Sequence, residues 1–297
     1  MTKQRIAKFF ILTASILAAP ALSMAGTEMK ESKEVKTVVE AAKESWITGD
    51  LGVTVVSEYI SRGLVLENQG VIAQPYLDLY FKLYEGEGFI NKVSFNLGLW
   101  SSIHSHEQPP GTSTTGAWYE FDYTAGLAVT FAKRFTGTLS YFEFDSPSDS
   151  FNTARSLNYN LSFDDTDFLG AFALHPHVAA LYELKAPGFA GLDEDGWYYE
   201  IGIAPSHTFG PVTVTVPITV GLGDGNFYAG DNYGYTSAGV TLSTPLSFIP
   251  EKWGAWTVST GYTYYNLGDN LQAFSKATQG SGDETQHVFS GSIGLTF

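Results

Sequence analysis

The residues of this chain best suited to chemistry are carboxylates, histidines and serines placed at every second position of short alternating runs. Glu120 and Asp122 stand two apart, as do His175 and His177, and as do Ser102 and His104. In extended backbone, residues two apart share a face. The side of each run opposite its apolar residues therefore collects Glu58, Asp78, Glu120, Asp122, Glu183 and Glu200. The cations expected on that side are Lys82, Lys92 and Arg62. A wall lined mostly by one sign concentrates counter-ions, so these positions point to a passage with a mild preference for cations. The same acids could instead pair with Lys82, Lys92 and tyrosine hydroxyls to stiffen the wall, and spacing alone leaves both readings open.

The histidines offer two further chemistries. Paired imidazoles bind Zn, Cu or Ni, but His104/His106 and His175/His177 each lack a third ligand nearby in sequence, so solvated histidines are expected and no metal. Ser102 and His104 have the types of a serine hydrolase dyad. Their parity turns them inward, however, and their order is the reverse of the His-x-Ser of the outer-membrane phospholipase family, with no orienting carboxylate evident nearby. A lipid hydrolase is the weakest of the functional readings. The chain has no cysteine, which excludes disulfides and thiolate chemistry, and 31 acidic against 16 basic residues exclude a basic nucleic-acid footprint. No cofactor is implied.

These residues have to be positioned by strands. From Gly49 onward period-2 segments of about ten residues recur, the length a tilted membrane-crossing strand requires. In residues 71–84, Val71, Ala73, Pro75, Leu77, Leu79, Phe81 and Leu83 form one face, with Gln74, Tyr76, Asp78, Tyr80, Lys82 and Tyr84 opposite. Only the first face suits lipid, where a lysine at mid-membrane costs about 2–4 kcal/mol. Residues 93–100 repeat the pattern, and 118–131 puts Tyr119, Phe121, Tyr123, Ala125 and Leu127 outward. Further strands are predicted at 135–144, 154–163, 170–184, 197–208, 211–221, 234–246, 254–266 and 285–297. With a first strand at 50–60 the total is twelve, and the fold class is an all-β, antiparallel, up-and-down transmembrane barrel. Long polar connections (104–117, 185–196, 222–233, 267–284) alternate with tight ones, as in barrels with short periplasmic turns and longer outer loops. Aromatic residues cluster at strand ends, where interfacial girdles lie.

The first residues have the three parts of a signal peptide. Lys3, Arg5 and Lys8 precede an apolar stretch, and Ser23-Met24-Ala25 ends it, so residues 1–25 are expected to be removed on export. Residues 26–48 alternate in charge and carry a helical stripe of Val35, Val38, Val39, Ala42 and Trp46, consistent with an amphipathic periplasmic segment or a frayed leader. Residues 49–297 form the barrel. The last strand, with Phe289, Ile293, Leu295 and Phe297 at alternate positions, resembles the terminal strand that outer-membrane barrels present to their assembly machinery. Gly291 departs from that pattern, where an aromatic residue is usual.

One resemblance is narrower. Ser57-Glu58-Tyr59-Ile60-Ser61-Arg62-Gly63, followed by Gln74-Pro75, is similar to the first hairpin of the TorF-type porin family, a Ser-x-Tyr-x-x-Arg-Gly stretch and then a Gln near a small residue or Pro. It covers residues 51–80 and implies a small porin-type outer-membrane barrel with no substrate attached. Gly63 would let the chain turn, leaving Arg62 at the inner rim near acidic residues, where pairing with carboxylates to hold the first loop is favoured over contact with a solute. The expectation is passive diffusion of ions or small solutes across the outer membrane of a diderm bacterium. A surface or structural barrel with an occluded lumen is the alternative. Outer-membrane lipids and the assembly machinery are the expected partners, and nucleic acid is not.

Overall fold

A computed structural model describes residues 45–106, 117–186 and 196–297. Valine, threonine and aromatic residues in alternation favour extended backbone with one face covered, and that pattern gives sixteen strands. In chain order the elements are β1 (Ile47–Val56), β2 (Tyr59–Ser61), β3 (Leu64–Glu67), β4 (Ile72–Glu85), β5 (Ile90–His104), β6 (Trp118–Phe131), β7 (Phe135–Asp145) and β8 (Ala154–Phe163). There follow α1 (Thr166–Leu169), β9 (His177–Lys185), β10 (Trp197–Ile203), β11 (Ser206–Phe209), β12 (Val212–Thr215), β13 (Ile218–Gly223), β14 (Tyr233–Pro245), β15 (Ala255–Leu267), α2 (Asp269–Gln279) and β16 (Thr285–Thr296).

All strands except β2 and β3 join one antiparallel sheet, closed by β1–β16 and β14–β15. Two of its walls are interrupted by proline, which cannot donate to a ladder. β10 and β11 are one stave broken at Ala204-Pro205, and β12 and β13 one stave broken at Val216-Pro217. The carbonyls still accept across the breaks, Val216 N–H donating to Pro205 at 2.9 Å and Gly239 N–H to Pro217 at 2.9 Å. The barrel therefore has twelve staves, as the alternation predicts. The closing seam runs from Asp50↔Thr296 to Val56↔Ser290. It extends to the last residue, with Gly49 and Phe297 exchanging two backbone hydrogen bonds of 2.9 Å.

Outward positions such as Leu51, Leu97, Leu127, Leu139, Ile201 and Ile293 are exposed and apolar. At the short-turn end Phe89, Phe131, Phe135, Phe163 and Phe168 form a continuous chain of ring contacts, with the Arg134 guanidinium 4.5 Å from the Phe168 ring. At the long-connection end Tyr182, Trp197 and Tyr199 stack in the same way. An apolar band edged by rings at both ends is the pattern of a barrel wall that faces hydrocarbon.

Several boundaries differ from the sequence expectation. The first strand begins at Ile47, inside the segment assigned to 26–48, and ends at Val56 rather than 60. Of the helical stripe read in 26–48, Val35, Val38, Val39 and Ala42 lie outside the described residues, and Trp46 immediately precedes β1. The strand expected at 170–184 starts only at His177, because 166–172 turn helically and Pro176 precedes the strand. Tyr119, expected outward, is buried inward, since a register shift at Ser102/Ile103 opposite it rotates the start of β6. The connection 267–284, expected to be a flexible loop, holds α2, whose Leu271 and Phe274 are buried.

The turn between β8 and β9 is organised by Asp165, whose carboxylate accepts the Leu174 N–H at 3.0 Å and the His175 N–H at 2.9 Å. Burial opposes this charge, but the backbone donors outweigh it and hold the carboxyl below its ordinary range. A carboxyl with a depressed folded-state value stabilises above its unfolded value, and that contribution is lost as pH falls through the folded one. Asp165→Asn is expected to cost about 1–3 kcal/mol near neutral pH. Urea unfolding of lipid-reconstituted protein should show the gap narrowing below the ordinary carboxylate range; a gap independent of pH would contradict this.

Candidate functional site

The chain does not pass directly from β1 to β4, although Val56 and Ile72 are already paired across the ladder. It first makes the β2–β3 hairpin. Arg62 and Gly63 have φ of 48° and 83°, the left-handed pair of a tight two-residue hairpin turn. The hairpin folds into the barrel from the long-connection end, and every residue from Tyr59 to Glu67 is buried. Gly63 is required by proximity as well as by φ, since a Cβ there would lie 2.5 Å from Leu271 and 2.9 Å from Tyr235.

The hairpin is held on all sides. Tyr59 packs against the Trp100, His104 and Tyr119 rings at 5.6, 6.0 and 6.2 Å. Gln279 of α2 donates to the Leu66 carbonyl at 2.9 Å, and Tyr228 donates its hydroxyl to the Arg62 carbonyl at 2.9 Å. Tyr228 and Phe227 in turn pack on Tyr198. Val65, Ile60, Leu64, Leu66, Leu271 and Phe274 are in the same buried cluster. Each apolar side chain so covered contributes about 1.5–3 kcal/mol, so a hydrophobic plug fills the lumen at this end.

Against the plug stand the carboxylates foreseen from parity. Glu120, Asp122, Glu183 and Glu200 all point inward and all are buried. Tyr59 donates its hydroxyl to Glu120 at 2.8 Å, Tyr198 donates to Glu200 at 2.7 Å, and the Gly196 N–H donates to Glu183 at 3.1 Å. His177 Nε2 lies 3.1 Å from Glu200. Arg62 is deeper than the rim position expected for it. Its guanidinium is 5.5 Å from the Tyr198 ring and 6.0 Å from the Phe144 ring, within electrostatic reach of Asp122. Glu58 is half-buried beside the hairpin rather than part of a stave.

Toward the short-turn end the lumen changes character. Asp50 and Asp78 face each other across the β1–β4 ladder, flanked by Tyr76 and Tyr80. Thr124, Thr138, Asn158, Thr219 and Thr263 line the remaining wall and stay partly exposed, so this end is a polar, solvated vestibule. Lys82 is taken up at its edge, 2.7 Å from Glu85 and 5.5 Å from the Trp46 ring, and Lys92 is exposed.

His175 and His177 do not share a strand face. His175, with φ of 47°, sits in the turn 3.9 Å from Asp164 and Asp165, while His177 reaches the lumen. Among the described residues no group of three His, Cys, Asp or Glu side chains is placed to hold a metal. Ser102 Oγ does meet His104 Nε2 at 2.8 Å, and a carboxylate that spacing did not reveal, Glu67, lies 3.8 Å from His104 Nδ1 and 3.3 Å from His106 Nδ1. That long Nδ1 contact is not a hydrogen bond. Both Ser102 and His104 are fully covered beneath the plug, and His104 is stacked on Tyr119 at 4.6 Å. An acyl substrate has no approach to the serine in this arrangement.

No protein-family model matches this sequence, and no curated protein matches it. Its fold is similar to those of solved outer-membrane barrels. An outer membrane channel from Pseudomonas putida F1 aligns with 8% identity and a TM-score of 0.50 over 89% of this chain and 100% of that one. The NanC porin aligns with 12% identity and a TM-score of 0.45, over 83% of this chain and 98% of that one. The KdgM porin, solved in complex with disordered oligogalacturonate, aligns with 11% identity and a TM-score of 0.40, over 84% and 99%. At these identities the likeness is one of fold.

The seating of the plug can be tested through Gly63. Leu64 is 6% exposed, so Leu64→Cys in this cysteine-free chain should resist a membrane-impermeant maleimide. Adding Gly63→Val should make it reactive by at least about tenfold, as the clash and φ strain unseat the hairpin. Equal labelling with and without the valine would show that the hairpin does not depend on this contact.

Proposed function

We propose that this chain is a porin-type channel of the outer membrane, passing ions and small solutes passively with a preference for cations, and that its first hairpin closes the outer mouth. The observation that carries the proposal is a closed barrel whose lumen is carboxylate-lined throughout, from Glu120, Asp122, Glu183 and Glu200 at the plug to Asp50 and Asp78 in the vestibule. A structural barrel does not need a solvated acidic interior, since buried charges cost stability unless compensated. A passage for cations does, because the wall concentrates them. Twelve staves enclose a lumen only modestly wider than the eight-stranded barrels that their own side chains fill, which limits passage to small species.

The cellular setting follows from the same proposal. Residues 1–25 direct export, Phe289, Ile293, Leu295 and Phe297 address the assembly machinery, and the apolar band is covered by outer-membrane lipid. The short turns then face the periplasm and the plug faces outward. The occlusion itself favours the second reading, a barrel that works through its outer surface and conducts nothing.

Replacing residues 58–70 by Asn-Gly separates the two, because Val56 and Ile72 are already in register for a tight turn. In planar bilayers the shortened barrel should show steady channels with a reversal potential of cation sign in asymmetric KCl, while the intact chain opens rarely. Bilayers as tight with the folded, shortened barrel as without protein would establish the structural reading, and a reversal potential of anion sign would reject the selectivity. For the hydrolase reading, intact protein and Ser102→Ala should both match the protein-free background in a phospholipase assay. Turnover lost with the serine would overturn that.

A further inference from the structure

We propose that the plugged end of the lumen is a binding site for guanidinium-bearing organic cations, and that Arg62 occupies it as a tethered surrogate of the cargo. This rests on the channel reading and adds to it a solute class and a means of opening.

The surroundings of the Arg62 guanidinium are those that recognise a flat organic cation. Phe144 and Tyr198 present rings at 6.0 and 5.5 Å, within the range of cation–π attraction. Buried carboxylates face the same end of the lumen from separate staves, Glu120 and Asp122 on β6 and Glu200 on β10. An alkali ion would want oxygen ligands and water in place of rings. A guanidinium is weakly hydrated, stacks on aromatic faces and offers five donors in one plane.

The site also has acceptor capacity that the hairpin leaves unused. Asp122 is fully buried against the Glu120 carboxyl, and no N–H or hydroxyl donates to either of its carboxylate oxygens. Buried carboxylate oxygens are normally satisfied, and paired donors on a planar cation match a carboxylate in a two-pronged bond.

The third observation is topological. Val56 and Ile72 pair directly and Ser57 and Val71 still bond to neighbouring staves, so the barrel ladder is complete without residues 58–70, and that insertion serves the lumen rather than the wall. Its turn carries the arginine at its tip, and Arg62 is the sole arginine or lysine in residues 58–70. A solute with the same head group would compete with Arg62 for the same rings and carboxylates. Its binding would release the tip, and loading would be linked to opening. Competition with a tethered ligand lowers apparent affinity, so removing the tether should raise it.

Arg62→Asn tests this, asparagine being tolerant of the left-handed turn. Calorimetric titration of the detergent-folded protein with agmatine should show binding at least about tenfold tighter to Arg62→Asn than to the intact chain. Asp122→Asn in that background should remove the gain, and KCl at equal ionic strength should not substitute for agmatine. In the Leu64→Cys chain with Arg62 present, agmatine but not KCl should accelerate maleimide labelling. Folding is verified by the heat-dependent shift of the barrel on gels. Binding no tighter in folded Arg62→Asn, or displacement of agmatine by potassium at equal concentration, would overturn the site. If Arg62→Asn does not fold, the labelling arm decides, and labelling indifferent to agmatine overturns the proposal. These readouts need no conductance, so a barrel that binds agmatine yet stays tight after removal of residues 58–70 refutes the channel and leaves the site standing.

Discussion

Closure of the sheet is the constraint on which everything else in this protein depends. A barrel wall facing hydrocarbon has no water to satisfy a free N–H or C=O, so each stave must be paired on both sides. The seam between β1 and β16 meets this requirement to the last residue, through the exchange between Gly49 and Phe297. The two proline breaks are tolerated because their carbonyls still accept from neighbouring backbone. Once the wall is closed, one side chain of each alternating pair belongs to lipid and the other to the lumen. The lumen is lined by whatever polar residues the lipid face could not accept, and here they are mainly acids, hydroxyls and tyrosines.

That inheritance creates an electrostatic problem which the interior elements resolve. Burying several carboxylates in one lumen costs stability unless donors and cations compensate. Tyr59, Tyr198 and Tyr235 supply hydroxyls, His177 approaches Glu200, and Arg62 is carried in on a hairpin. The apolar residues around that arginine come from three connections at the same end, 57–71, 224–232 and 268–284, which meet through Tyr228, Asn270 and Gln279. The plug is thus one packed body assembled from separate connections, and the solvated vestibule begins where it stops.

Much of the wall was legible because a two-residue period is a local property. Counting parity turns Glu120, Asp122, Glu183 and Glu200 away from the lipid face, and all four are buried. The plug was illegible for the opposite reason. Leu64-Val65-Leu66 has no alternation, and its burial depends on partners more than two hundred residues away in α2. The apolar face of α2 lies in a stretch otherwise rich in Gly, Ser and Asp, which reads as a loop. Tyr119 escaped because a bulge breaks parity, and Glu67 because its approach to His104 is made by the fold of the hairpin. The start of β9 was misplaced since Asp165 gathers the backbone of Leu174 and His175 into a turn where alternation continues in the sequence.

The central claim is a lumen that, among the described residues, is open at the short-turn end and sealed at the other by the chain's own hairpin. Thr138 lies on the lumen wall below the plug, and the chain has no native cysteine. Thr138→Cys, reconstituted in vesicles in one orientation, can be offered an impermeant thiol reagent from either side. It should react only from the short-turn side in the intact barrel, and from both sides once residues 58–70 are replaced. Reaction from the long-connection side with the hairpin in place would contradict the account.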